Sequence, residues 1–199
     1  MLSFSNSKIG ALGLFSEYLM VHKEFSTYIL TCSGESSTIE VKPFSNITCE
    51  SQQGWIVSNT KYFVFSKDFL DIYPLIQHTV FNDKFLGESV TQKVRNLFKD
   101  IRLEDTDKIF CVGRPRERQM IFYLPMNYVN GSATALIFDF QTKSWLLRQV
   151  PQDVTTAFQY DNKIYIGTKD GKVLEEFKGD TFDGKAINAY YKSPWFDWV

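Results

Sequence analysis

The sequence predicts an all-β protein, a β-propeller-like array of about four antiparallel strand units, and three observations carry that reading. Strand-turn-strand units recur: Tyr18–Lys23, Tyr62–Lys67, Ile109–Gly113 and Ile164–Gly167 begin at steps of 44, 47 and 55 residues. A period in this range, filled by strands, marks a propeller or a related repeat array. The aromatic share is high, 16% of 199 residues with 18 Phe and 10 Tyr, and flat rings pack well on a pleated surface. The turns between apolar runs carry the residues that turns need, most clearly Asp170-Gly171.

Taken in order, Glu17–Lys23 and Phe25–Cys32 read as a hairpin around Glu24. A polar break at Ser33–Ser37 leads to a short strand at Thr38–Val41, which Pro43 is expected to end. Residues 55–59 and 61–66 repeat the alternation, and Phe69–Leu75 returns after a turn at Lys67-Asp68. Between Glu88 and Ile101 the period changes: Val90, Val94, Leu97, Phe98 and Ile101 recur at helical spacing with Lys93, Arg95 and Lys99 between them. That predicts one inserted amphipathic helix over about 88–101, with Ser89 as its cap.

Beyond it, Lys108–Gly113 and Arg118–Leu124 form a hairpin around Arg114–Glu117, and Ala135–Phe140 and Trp145–Arg148 flank Gln141–Ser144. Lys163–Thr168 turns through Lys169-Asp170-Gly171 into Lys172–Phe177, predicted as a type I′ hairpin. Asp183-Gly184 marks a further turn before Ala186–Lys192. No low-complexity linker interrupts residues 1–199, so the chain reads as one domain.

The formal net charge is −1, from 22 basic and 23 acidic residues, which disfavours sequence-blind wrapping of nucleic acid. Cys32, Cys49 and Cys111 are widely spaced, form no CxxC pair and have only His22 and His78 for company. No metal site or cofactor is expected from them, and reduced thiols fit better. Ile9–Phe15 is apolar but too short to span a bilayer, and no membrane span or secretory leader is expected.

Phe138-Asp-Phe-Gln-Thr-Lys-Ser-Trp145 has the form of a kelch-like outer hairpin, with Asp139 and Thr142 placed to hold the turn through side-chain bonds. The whole order of elements runs from Leu19–Tyr28 through Tyr62–Ser66 and the segment at 88–101. It continues with Arg116–Pro125, Ala135–Trp145, Ile164–Gly171 and Trp195-Phe-Asp-Trp198. That order resembles the propeller-bearing tail nozzle, or packaged-DNA stabilisation, proteins of short-tailed bacteriophages. The resemblance implies a non-enzymatic virion protein, a nozzle or head-tail connector component assembled in the host cytoplasm. It would form a homo-oligomeric ring with other tail or connector proteins and meet packaged DNA only by passage or weak local contact. Members of that family are longer, so the apolar end at Trp195–Val199 reads as a cut edge or as a surface that a partner covers.

Arg114, Arg116 and Arg118 alternate on a turn and form either a basic rim, facing DNA or an acidic neighbour, or a solvated hairpin loop. Trp195, Phe196 and Trp198 are either a docking anchor or the closure of the domain's own core. Glu104, Asp105 and Asp107 lie in a polar turn rather than in the opposed environments that acid-base pairs need. No GxSxG elbow and no phosphate-cradling glycine motif occurs, so no enzyme activity is expected. Two other readings stay open: a recognition module that binds glycan or protein through loop aromatics, and a propeller enzyme built from converging loops.

Overall fold

A computed structural model describes residues 7–32, 39–58, 61–66, 71–77, 84–86, 89–101, 103–125, 133–150, 154–182 and 184–187. Four antiparallel meanders follow one another along the chain, each with neighbouring strands in sequence order. Sheet 1 holds β1 (Ile9–Phe15), β2 (Tyr18–Lys23), β3 (Thr27–Cys32) and β4 (Ile39–Ser45). Sheet 2 holds β5 (Trp55–Ser58), β6 (Lys61–Ser66), β7 (Asp71–Gln77) and β8 (Lys84–Leu86). Sheet 3 holds β9 (Phe110–Arg114), β10 (Gln119–Leu124), β11 (Ala133–Asp139) and β12 (Ser144–Val150). Sheet 4 is three-stranded, β13 (Val154–Tyr160), β14 (Lys163–Thr168) and β15 (Val173–Glu175), and a small hairpin of β16 (Thr181–Phe182) and β17 (Lys185–Ala186) follows.

Side-chain parity explains the stacking of these sheets. In β6, Tyr62 and Val64 point into a cluster with Ala11, Phe15, Met20 and Ile29 of sheet 1. Its alternate residues, Phe63 and Phe65, join Met120, Phe122 and Leu124 of β10. The remaining β10 residues, Ile121 and Tyr123, pack with Ala157, Ile164 and Ile166 of sheet 4. Sheets 2 and 3 are therefore buried on both faces, which is why Tyr62–Phe65 and Met120–Leu124 read as unbroken apolar runs. Sheets 1 and 4 each bury one face.

The same parity corrects the phase of the repeat. Tyr18–Lys23, β6 and β14 are all second strands of their sheets, but Ile109–Gly113 lies on β9, a first strand. The true counterpart is β10, so second strands begin at residues 18, 61, 119 and 163. The extra length falls between sheets 2 and 3, where residues 89–108 run.

That stretch is not the expected α-helix. A turn leads into a 3-10 helix at Arg95–Asp100, followed by another at Leu103–Lys108. The apolar residues do face the core: Phe98 and Ile101 are buried, with Val90, Val94 and Leu97 packed beside them. The hydrogen bonds, however, run to the third residue back, Val94 to Thr91 and Leu97 to Val94, each at 2.9 Å. The Val90 carbonyl, which Val94 would need for an α-turn, accepts the Trp145 indole N–H at 2.9 Å. The Val90 N–H is held by Ile72 of β7 at 3.1 Å, so tertiary bonds set the backbone here.

Two turns and one strand also differ from expectation. Pro43 does not end its strand but sits within β4, an edge strand whose missing N–H costs no ladder bond there. The Asp170-Gly171 hairpin closes with Gly171 alone at positive φ, 79°, and with Thr168 N–H bonded to the Lys172 carbonyl. It is a three-residue loop rather than type I′. The pair with both φ values positive is Asp161 (48°) and Asn162 (59°), between β13 and β14.

Candidate functional site

First strands converge on one short segment, Ser51–Gly54. The Gln52 side chain bonds both the N–H and the carbonyl of Leu12 on β1, at 3.0 and 2.9 Å. The Gln53 carbonyl accepts Cys111 N–H from β9 at 2.9 Å, and the Gln53 amide oxygen accepts the Thr156 hydroxyl from β13 at 3.2 Å. Gly54 bonds Phe65 of sheet 2. Four sheets are thus tied at a single point by an amide-bearing turn, because Gln offers a donor and an acceptor to strands that meet there.

Beside this point lies a buried polar relay. His22 is fully buried on β2, with Nδ1 2.8 Å from the Thr27 hydroxyl and Nε2 2.8 Å from the Tyr62 hydroxyl. Thr27 donates its own proton to the Ile47 carbonyl, so Nδ1 carries the hydrogen and Nε2 accepts from Tyr62. Burial holds His22 at about 4, neutral at ordinary pH. Cys49 lies in the same cluster, and desolvation pushes its thiol up to about 12. A protonated thiol and a neutral imidazole, each held by hydrogen bonds inside the core, form a buried polar relay.

The arginine hairpin does not form one rim. Arg114 turns back, bonding Gln119 at 2.9 Å and Glu117 at 3.1 Å, and its guanidinium lies 3.9 Å from the centre of the Phe177 ring. Arg116 and Arg118 stand exposed at the tip. Arg148 of β12 covers the same Phe177 ring at 4.5 Å and pairs with Glu176 at 3.3 Å. Glu176 is buried and accepts the Tyr123 hydroxyl; burial raises its pKa against the pull of Arg148, Tyr123 and Arg114. Phe177 takes a left-handed φ of 57°, rare for a bulky residue and a sign of local strain. Arg148 and Phe177 line a cleft of about 280 Å³ with Leu174, Lys178 and Ile187. This cluster was not legible in the sequence, because Glu176 and Phe177 read as the end of a strand that in fact stops at Glu175.

Trp195, Phe196 and Trp198 lie outside the described residues. Glu104 and Asp107 are exposed on the second 3-10 helix, and Asp105 pairs with Lys108. Among the described residues, no group of three His, Cys, Asp or Glu converges as a metal site, and no helix is long and apolar enough to cross a membrane.

The outer sheets also carry exposed apolar residues. On the outer face of sheet 1, Leu14, Leu19, Leu30 and Val41 are direct cross-strand partners in one row across all four strands. Leu12, Val21, Tyr28 and Pro43 form the next row, in which Val21 is buried. Leu14 is 63% exposed and Leu12 41%. The outer face of sheet 4 presents Phe158, stacked on Tyr165 at 5.3 Å, with Val173 beside them.

No protein-family model matches the chain, and no curated protein matches it. Solved structures similar to it include the computationally designed Ika4 protein, at 14% identity and TM-score 0.47, covering 90% of this chain and 96% of that one. A 2S albumin seed protein from Dolichos is similar at 9% identity and TM-score 0.41, covering 92% and 93%. The hemopexin fold protein CP4 from cow pea is similar at 12% identity and TM-score 0.43, covering 84% and 90%. These similarities are too low to assign a family or a function. What the fold and site define is a class: an all-β protein of stacked antiparallel meanders with a buried polar relay.

Proposed function

We propose that this chain is a non-enzymatic structural protein whose four sheets fan as propeller-like blades about Ser51–Gly54 and which works by assembling side by side. The setting we propose is the one its sequence resembles, the tail nozzle or head-tail connector of a short-tailed phage virion, assembled in the host cytoplasm. There a ring would join other tail proteins, and packaged DNA would pass through or be retained without tight binding. The observation that carries assembly is the double apolar row on sheet 1, because monomeric proteins rarely leave a contiguous apolar face in water. Light scattering on the purified chain, with negative-stain imaging of the same peak, tests it. Closed rings are expected; a monomer at every concentration overturns the assembly reading.

A second reading has its own observation. Phe177, strained and flanked by two guanidinium groups at a cleft, suits a recognition module that holds a glycan or protein through a loop aromatic. Binding on a glycan array that Phe177→Ala abolishes would favour it, and an array with no signal above background would remove it.

A further inference from the structure

We infer that the exposed face of sheet 1 in one copy docks on the exposed face of sheet 4 in the next, head to tail. This rests on the assembly reading above and names its joint. Three buried clusters join sheet 1 to sheet 2, sheet 2 to sheet 3 and sheet 3 to sheet 4. Among the described residues, no such cluster joins sheet 4 back to sheet 1. The outward faces of sheets 1 and 4 leave Leu14 and Phe158 exposed, and a second copy continues the series with the same face-to-face contact that the described sheets already make three times.

The two ends suit one another. The sheet 1 end is aliphatic apart from Tyr28, and its two rows carry no charged residue. The sheet 4 end is aromatic at its middle, with Phe158 48% and Val173 65% exposed. Glu175, on the edge strand β15, stands directly across from Tyr165 and pairs with Lys163 at 3.5 Å, so charge borders the aromatic pair. An apolar centre inside a charged margin is the usual anatomy of an interface. Sheet 1 on sheet 1 would leave the aromatic end bare in every copy, whereas sheet 1 on sheet 4 covers both. A contact between unlike faces closes into a ring when its rotation permits, and otherwise runs on as a filament.

Two charge variants, Leu14→Lys and Phe158→Lys, test the joint by light scattering over a concentration series. Both positions are exposed in the single chain; circular dichroism and urea unfolding check the fold, with Leu19→Lys and Val173→Lys as replacements if either fails. Each variant alone is expected to weaken self-association on the order of 100-fold. Mixed together, they keep one intact face of each kind and are expected to give a one-to-one heterodimer and nothing larger. If Phe158→Lys still self-associates while Leu14→Lys does not, sheet 1 pairs with itself and the inference is wrong. Wild-type oligomers that neither variant disturbs overturn the joint but leave assembly standing. A wild-type monomer overturns both.

Discussion

Gly13 on β1 faces the Tyr62 hydroxyl so closely that a Cβ at this position would lie 2.3 Å from the oxygen. The same hydroxyl donates to His22, so the ring cannot swing aside without breaking a buried hydrogen bond. Gly13→Ala is expected to cost about 1–3 kcal/mol by overpacking. In a Tyr62→Phe background, which lacks the nearest colliding atom and the hydrogen bond that fixes the ring but keeps Cε2 and Cζ at 2.8 and 2.9 Å, the added cost of the alanine shrinks. Urea unfolding of the four proteins in a double-mutant cycle measures that coupling.

His22 makes stability depend on pH in a definite direction. Its folded value of about 4 lies below the ordinary 6.5, so between those values the unfolded chain binds a proton that the folded one refuses. The contribution is full above about pH 6.5 and falls away as pH drops toward 4, on the order of 3 kcal/mol in all. Glu176 acts with the opposite sign: its raised pKa lets the folded form take a proton first as pH enters the carboxylate range. Unfolding midpoints between pH 7.5 and 4.5 should slope downward in the wild type. The slope should flatten in His22→Gln.

Arg148→Ala removes the cation beside a carboxylate that is almost wholly enclosed. The expected cost is about 3 kcal/mol or more, because Glu176 is left buried with Tyr123 as its remaining partner. Arg148→Ala combined with Glu176→Gln should recover part of that loss. Thermal unfolding of the single and double variants decides it; equal losses in both would show that the pair contributes no coupling.

Trp145→Phe keeps the ring near Phe138 but deletes the indole N–H that occupies the Val90 carbonyl. A loss of about 1 kcal/mol is expected. Faster amide hydrogen exchange confined to residues 90–101 would locate the effect, and uniform exchange across the chain would contradict it.

Much of the architecture was legible because burial writes itself into strand parity. Tyr62–Phe65 and Met120–Leu124 announce sheets covered on both sides, and Asp139 bonds the Gln141 and Thr142 amides as its turn requires, both at 2.9 Å. Strand β1 was not read as a strand, since Gly10 and Gly13 interrupt the apolar pattern of Ile9–Phe15; Gly13 is there to admit Tyr62. The 88–101 stretch misled for a different reason. Side-chain period reports which residues face the core, whereas Trp145 and Ile72, far away in sequence, decide where the backbone bonds go. Arg114 looked like its neighbours Arg116 and Arg118, and its bonds to Gln119 and Glu117 together with Phe177, remote along the chain, set it apart.

The contiguity of each sheet in sequence has a consequence for synthesis. A meander needs no distant strand to complete its hydrogen bonds, so each of the four can form as soon as it leaves the ribosome. Its inner face stays wet only until the next meander arrives, and the wait is one repeat long. The leucine-rich face of sheet 1 emerges before the other three sheets, and it faces neighbouring nascent chains while they are being made.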